Sequence, residues 1–64
     1  MSVELKMTHT EARAFIRRAR DGLRWMEEAL KDRSSAELDE ACNETVGAVV
    51  AVQDALQTRG IRGL

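Results

Sequence analysis

Ala12, Ile16, Ala19, Leu23, Met26 and Leu30 follow one another at steps of four and three, and Leu38, Cys42, Thr45, Val49, Val52 and Leu56 repeat the rhythm further on. Residues so spaced share one side of an α-helix. The pattern therefore predicts two amphipathic helices, one over about 9–31 and the other over about 35–59. Thr8-His9-Thr10-Glu11 reads as a capping box opening the first, and Ser34-Ser35-Ala36-Glu37 as another opening the second. Lys31-Asp32-Arg33 is the only break between them. A connection this short turns the second helix back antiparallel to the first.

Large and small residues alternate along the first seam, which suits close packing of an alanine layer against a bulky one. Gly22, costly inside a helix by about 1 kcal/mol against alanine, marks a close helix approach. Gly60 sits where a left-handed residue ends the second helix, with Ile61 placed to touch Leu56. Residues 62–64 read as a frayed end. Ahead of the first helix, Val3-Glu4-Leu5-Lys6-Met7 alternates apolar and polar with the period of a strand, and residues 1–7 are read as a short segment lying extended against the helices.

The exception to the amphipathic rule is Val46 to Val52, Val-Gly-Ala-Val-Val-Ala-Val, where every residue is apolar. Valine favours sheets, but the only segment able to pair with this run is the short N-terminal one, and helical spacing continues through it. As a helix it is apolar all round, and one neighbour covers only part of it. A hairpin built on the two seams leaves Val46, Val50 and the row Ala41, Ala48, Ala55 partly bare. The expected architecture is accordingly all-α: one domain over residues 1–64, an antiparallel two-helix hairpin assembling into a four-helix bundle as a homodimer, or into a higher helical oligomer. Val46, Ala48, Val49, Val50 and Val52 are the expected oligomer interface.

Size points the same way. At 64 residues a lone chain is marginal, and disulfides, a metal or self-association are the usual remedies. Cys42 is the single cysteine, so no internal disulfide forms, and no Cys/His spacing suits zinc. Glu27, Glu28, Glu37, Asp39, Glu40 and Glu44 gather about the turn without the Glu-x-x-His pairs that di-iron bundles use, and they read as solvated surface. No metal or other cofactor is expected. His9 has no Ser or Cys partner in the pattern, and no phosphate loop or nucleophile set is present. The expectation is a protein without enzymatic activity. With neither a signal-type leader nor an apolar run of membrane length, the default residence is the cytoplasm.

A net charge of −1 gives no global attraction to nucleic acid, yet the charge is segregated. Five arginines lie between Arg13 and Arg24, while Glu37 to Glu44 holds four acids and no base. Arg13, Arg17, Arg20 and Arg24 form one helical stripe. Its bland reading is a solvated face or salt bridges to the acidic segment of a second subunit. Its sharper one is phosphate binding, since guanidinium forks suit phosphate oxygens. Phe15, Gly22, Trp25 and Ala29 make a narrower stripe on the other side of the seam. Trp25 with Phe15 and Arg18 is the expected anchor for a protein partner, tryptophan and arginine being the usual hot-spot residues.

In architecture the chain resembles the Rop class of RNA-binding dimers, and Phe15-Ile16-Arg17 falls where that family carries an aromatic, an aliphatic and a basic residue. The likeness covers little more than helix 1, and Glu11 and Met26 stand where the family places polar or basic contacts. An extended segment before two helices is also similar to ribbon-helix-helix DNA regulators, although helix 1 is about twice the length that fold uses. Small paired-helix chaperones and phage inhibitors share the shape. The leading functional expectation is a small regulator, adaptor or inhibitor that self-associates and binds a protein through helix 1. The alternative is a nucleic-acid or nucleotide binder using the arginine stripe.

Overall fold

The computed structural model describes residues 5–64. Helix α1 spans His9–Lys31 and helix α2 spans Ser35–Gln57, and they pack against each other as an antiparallel hairpin. Among the described residues there is no strand, only an isolated parallel bridge between Met7 and Ile61. Val3 and Glu4, the first part of the alternating stretch, lie outside the described residues.

Local chemistry accounts for the helix ends. At the start of α1 the Glu11 N–H donates to Thr8 Oγ1 at 3.1 Å, and the Thr8 N–H donates back to Glu11 Oε1 at 3.1 Å, a complete capping box. At α2 only half of the expected box forms. The Glu37 N–H donates to Ser34 Oγ at 3.2 Å, but the Ser34 N–H is already committed, donating to the Ala29 carbonyl at 3.0 Å. That bond, with Arg33 N–H to the Leu30 carbonyl at 3.2 Å, is a Schellman motif closing α1. It requires a left-handed residue after the C-cap, and Arg33 supplies one, at φ 55°. Gly60 supplies the left-handed turn after α2, at φ 81°.

The packing departs from the seams read in the sequence by a small rotation of each helix. Ala29 and Ala41 are wholly buried, Ala48 and Ala55 nearly so, and Gly22 faces Thr45. The contact row of α1 is thus Ala12, Phe15, Ala19, Gly22, Met26 and Ala29. That of α2 is Leu38, Ala41, Thr45, Ala48, Val52 and Ala55. Alternate members of the expected seams are displaced: Ile16, Leu23, Leu30, Val49 and Leu56 are each at least half exposed, and Cys42 is a half-buried free thiol. The physical reason is side-chain size. Rows of glycine and alanine let two backbones approach closely, and dense packing of whole helices offsets the smaller area of each residue. Ala41, Ala48 and Ala55, expected to be partly bare, are instead the centre of the contact.

At the crossing, a Cβ built on Gly22 would lie 3.1 Å from Thr45 Cβ and 3.4 Å from its Cα. Glycine is required there by space. Thr45 is buried, and its hydroxyl donates to the Ala41 carbonyl at 2.7 Å, so no polar atom is stranded.

The open end of the hairpin is closed by its own termini. The Met7 N–H donates to the Gly60 carbonyl at 3.0 Å and the Arg62 N–H to the Met7 carbonyl at 2.8 Å. These bonds seat Met7 and Ile61, 2% and 3% exposed, on Ala12 and Ala55, with Phe15 and Val52 alongside. Ile61 therefore belongs to an end cluster, and the segment after it, read as frayed, is tied to the chain ahead of α1.

Candidate interaction surfaces

Rotating the contact toward small residues leaves the large ones together. Ile16, Leu23 and Leu30 are heptad steps along α1, and Cys42, Val49 and Leu56 are heptad steps along α2. Each row flanks the contact row of its helix in the same rotational sense. Because the helices are antiparallel, both rows come to the same side of the hairpin.

The result is an apolar face running the length of the molecule, whose long dimension is 50 Å. Its middle is a groove of about 400 Å³ lined by Ile16, Ala19, Leu23, Val49, Val52 and Leu56, with Arg20 and Gln53 at the rims. Toward the termini a hollow of about 220 Å³ carries the face on over Ile61 and Leu64. Toward the turn another, of about 280 Å³, adds Leu30 and Leu38.

Within the expected oligomer set the positions differ. Val46, Val49 and Val50 are 59%, 52% and 50% exposed. Val49 lines the middle groove, and Val46 lies at its edge by helical phase. Val50 points away from α1, at the outer edge of α2. Val52 is half-buried, reaching both the groove and the end cluster. Ala48 is 3% exposed, consumed by the contact with α1. Ile16, Leu23 and Leu56 were placed in the internal seam by the sequence pattern, and the structure adds them to the exposed face.

Arg18 and Trp25, seven residues apart, lie on the opposite flank of α1. The Arg18 guanidinium sits 5.7 Å from the centre of the Phe15 ring, within cation–π range. Phe15 and Trp25 are half-buried and Arg18 is exposed. By helical phase this flank is bordered across the hairpin by Glu37, Glu44 and Ala51, so it is polar where the first face is apolar. Arg13, Arg17, Arg20 and Arg24 are all exposed, Arg13 and Arg20 along the rim of the apolar face and Arg17 and Arg24 on the outer edge of α1.

His9 is exposed. Among the described residues no group of three or more His, Cys, Asp or Glu side chains is placed to hold a metal ion, and no helix is long and apolar enough to cross a membrane. Among the described residues the one carboxylate with a displaced titration is Glu11. Hydrogen bonds from the Thr8 backbone N–H, and then from its hydroxyl, hold it below its ordinary value of 4.5. That is a helix-capping effect. Compared with known proteins, the chain matches no family model, no curated protein and no solved structure.

Proposed function

We propose that the protein is a small, non-enzymatic interaction module, acting as a regulator, adaptor or inhibitor. A second copy covers its apolar face to make a four-helix bundle, and α1 takes a protein partner through Arg18 and Trp25 on the other flank, with Phe15, which also reaches the apolar groove, packed beside the Arg18 guanidinium. The observation that carries this reading is the exposure of Ile16, Leu23, Leu30, Val46, Val49 and Leu56, each at 50–66%, on one side of so small a hairpin. Covering the remaining half of each side chain is worth about 1 kcal/mol. Two copies together then gain on the order of 10 kcal/mol before the entropy of association is charged against it. A contiguous apolar surface of this kind is what interaction sites present.

With the first face occupied by a copy, Trp25 and Arg18 remain on the outside of the bundle, where a partner reaches them. Equilibrium sedimentation of the intact chain and of Val49→Asp tests the first half. The chain is expected to run as a dimer or higher oligomer and the variant as a monomer or an unfolded chain, because the carboxylate would be buried without a partner. A monomeric parent with unchanged melting in the variant refutes it. For the second half, Trp25→Ala is expected to abolish capture of a host protein while leaving the sedimentation mass unchanged. Capture that falls steeply with salt, and is lost with joint substitution of Arg17 and Arg20, would replace the protein partner by a nucleic acid.

A further inference from the structure

The apolar face admits a second copy in two symmetric ways: with both turns at the same end, or with each turn beside the other copy's termini. The charged rims distinguish them. Arg13, Arg20 and Glu27 are heptad steps along the outer rim of α1, and Asp39, Val46 and Gln53 are heptad steps along the outer rim of α2. Arg20 and Gln53 border the middle groove and Arg13 the terminal hollow. The contact of Gly22 with Thr45 sets the level of one helix against the other. Arg20 is therefore level with the Val46–Gly47 step, while Glu27 and Asp39 lie together toward the turn.

In the same-end arrangement, α1 of one copy lies along α2 of the other at unchanged height. Glu27 then meets Asp39 of the partner subunit, twice over, and Arg13 meets only an uncharged glutamine. In the end-over-end arrangement each helix lies along its own equivalent, reversed. Arg13 and Glu27 stand equally far from Arg20, about 10 Å on either side at 1.5 Å per residue, so each Arg13 falls beside a Glu27 of the other copy. Asp39 falls beside Gln53, Val46 meets its own equivalent, and so does Arg20, the one like-charge contact in this arrangement. Apolar positions obey the same centre, since Ile16 and Leu23 also straddle Arg20 by nearly equal steps.

We propose that the second copy docks end over end, about a two-fold axis crossing the apolar face between Arg20 and Val46, with Arg13 and Glu27 paired across the interface. This rests on the self-association proposed above and adds its orientation. The other arrangement sets two acid pairs directly against each other with no opposite-sign rim pair to offset them, whereas here two Arg13–Glu27 pairs stand against a single Arg20–Arg20 contact.

Electron spin resonance on the Cys42→Ala, Asp32→Cys chain, labelled in the turn, separates the possibilities. End-over-end docking puts the two labels about 35–40 Å apart, the length of a 23-residue helix plus the offset between layers. A distance under about 25 Å shows the turns at one end and overturns the orientation while leaving self-association intact. A monomeric mass with no distance between copies overturns both. In parallel, Glu27→Arg is expected to weaken the dimer about tenfold, and Arg13→Glu added to it to restore affinity to within about threefold of the parent. A double variant no tighter than the single one overturns the pairing. Arg13, Glu27 and Asp32 are exposed and Cys42 is half-buried, and retained helicity by circular dichroism confirms that folding is unaffected.

Discussion

Alanine in place of glycine should have opposite effects at two positions of this hairpin. Inside a helix the exchange gains about 0.8–1.0 kcal/mol from propensity alone. At Gly47 nothing lies within 4 Å of the added methyl, so the full gain should appear. At Gly22 the methyl would overlap Thr45 Oγ1 and lie 3.1 Å from Thr45 Cβ. The hydroxyl cannot turn away freely, because it is buried and bonded to the Ala41 carbonyl. Either that bond breaks or the helices part along a row of alanines that are in contact only because they are close. Overpacking of this kind costs about 1–3 kcal/mol. Subtracting the propensity gain leaves Gly22→Ala destabilised by up to about 2 kcal/mol.

Thermal unfolding followed by circular dichroism, at one protein concentration because self-association is linked to folding, reads the difference. For a chain of this size 1 kcal/mol shifts Tm by about 4–8 °C. Gly47→Ala is expected to melt several degrees higher and Gly22→Ala several degrees lower than the parent. In a Thr45→Ala background the Gly22→Ala penalty should shrink toward zero, since the oxygen it strikes is gone. If Gly22→Ala is as stabilising as Gly47→Ala, the helices do not meet at Gly22 and Thr45, and the displaced contact row is wrong.

Three further outcomes follow from the ends of the helices. Arg33 holds a left-handed conformation that costs a residue with a Cβ roughly 1 kcal/mol, so Arg33→Gly is expected to raise the denaturant midpoint by a corresponding amount with an unchanged slope. Ile61→Ala removes most of a side chain that is 3% exposed. It should cost about 2–4 kcal/mol and speed hydrogen exchange at Met7 and Arg62, whose amides bond across the closed end. The Glu11 carboxylate is held below its ordinary 4.5 by Thr8, so its contribution is full above that value and lost as pH falls through the depressed one. Glu11→Gln should therefore flatten the decline of stability with acid in that window. An identical pH profile in the variant would show that the capping carboxylate is not responsible.

Much of this hairpin is legible in the residues themselves. Steps of three and four, two capping residues, a three-residue break and the absence of proline are local instructions, and a helix obeys them without knowing its neighbours. The close approach at Gly22 and the left-handed turn at Gly60 could be read in the same way, because only glycine meets those demands cheaply. Val46 and Val50 stand out as surplus to a single contact, and they are exposed. What no pattern on one helix could decide is which of two overlapping stripes turns inward. Ala12-Ile16-Ala19-Leu23-Met26-Leu30 and Ala12-Phe15-Ala19-Gly22-Met26-Ala29 have the same period and share half their members. They differ by a modest rotation about the axis.

Hydrophobicity alone favours the first stripe. The second wins when two helices meet, because the approach of backbones depends on what both offer at the same level. Gly22 opposite Thr45 and Ala19 opposite Ala48 exist only as pairs. From that choice comes the apolar face on which the functional proposal stands. The parallel bridge of Met7 to Ile61 is likewise beyond sequence reading, since it joins residues 54 positions apart that meet only after the hairpin has brought both ends together. Local propensity sets the helices, and mutual fit sets which way they face.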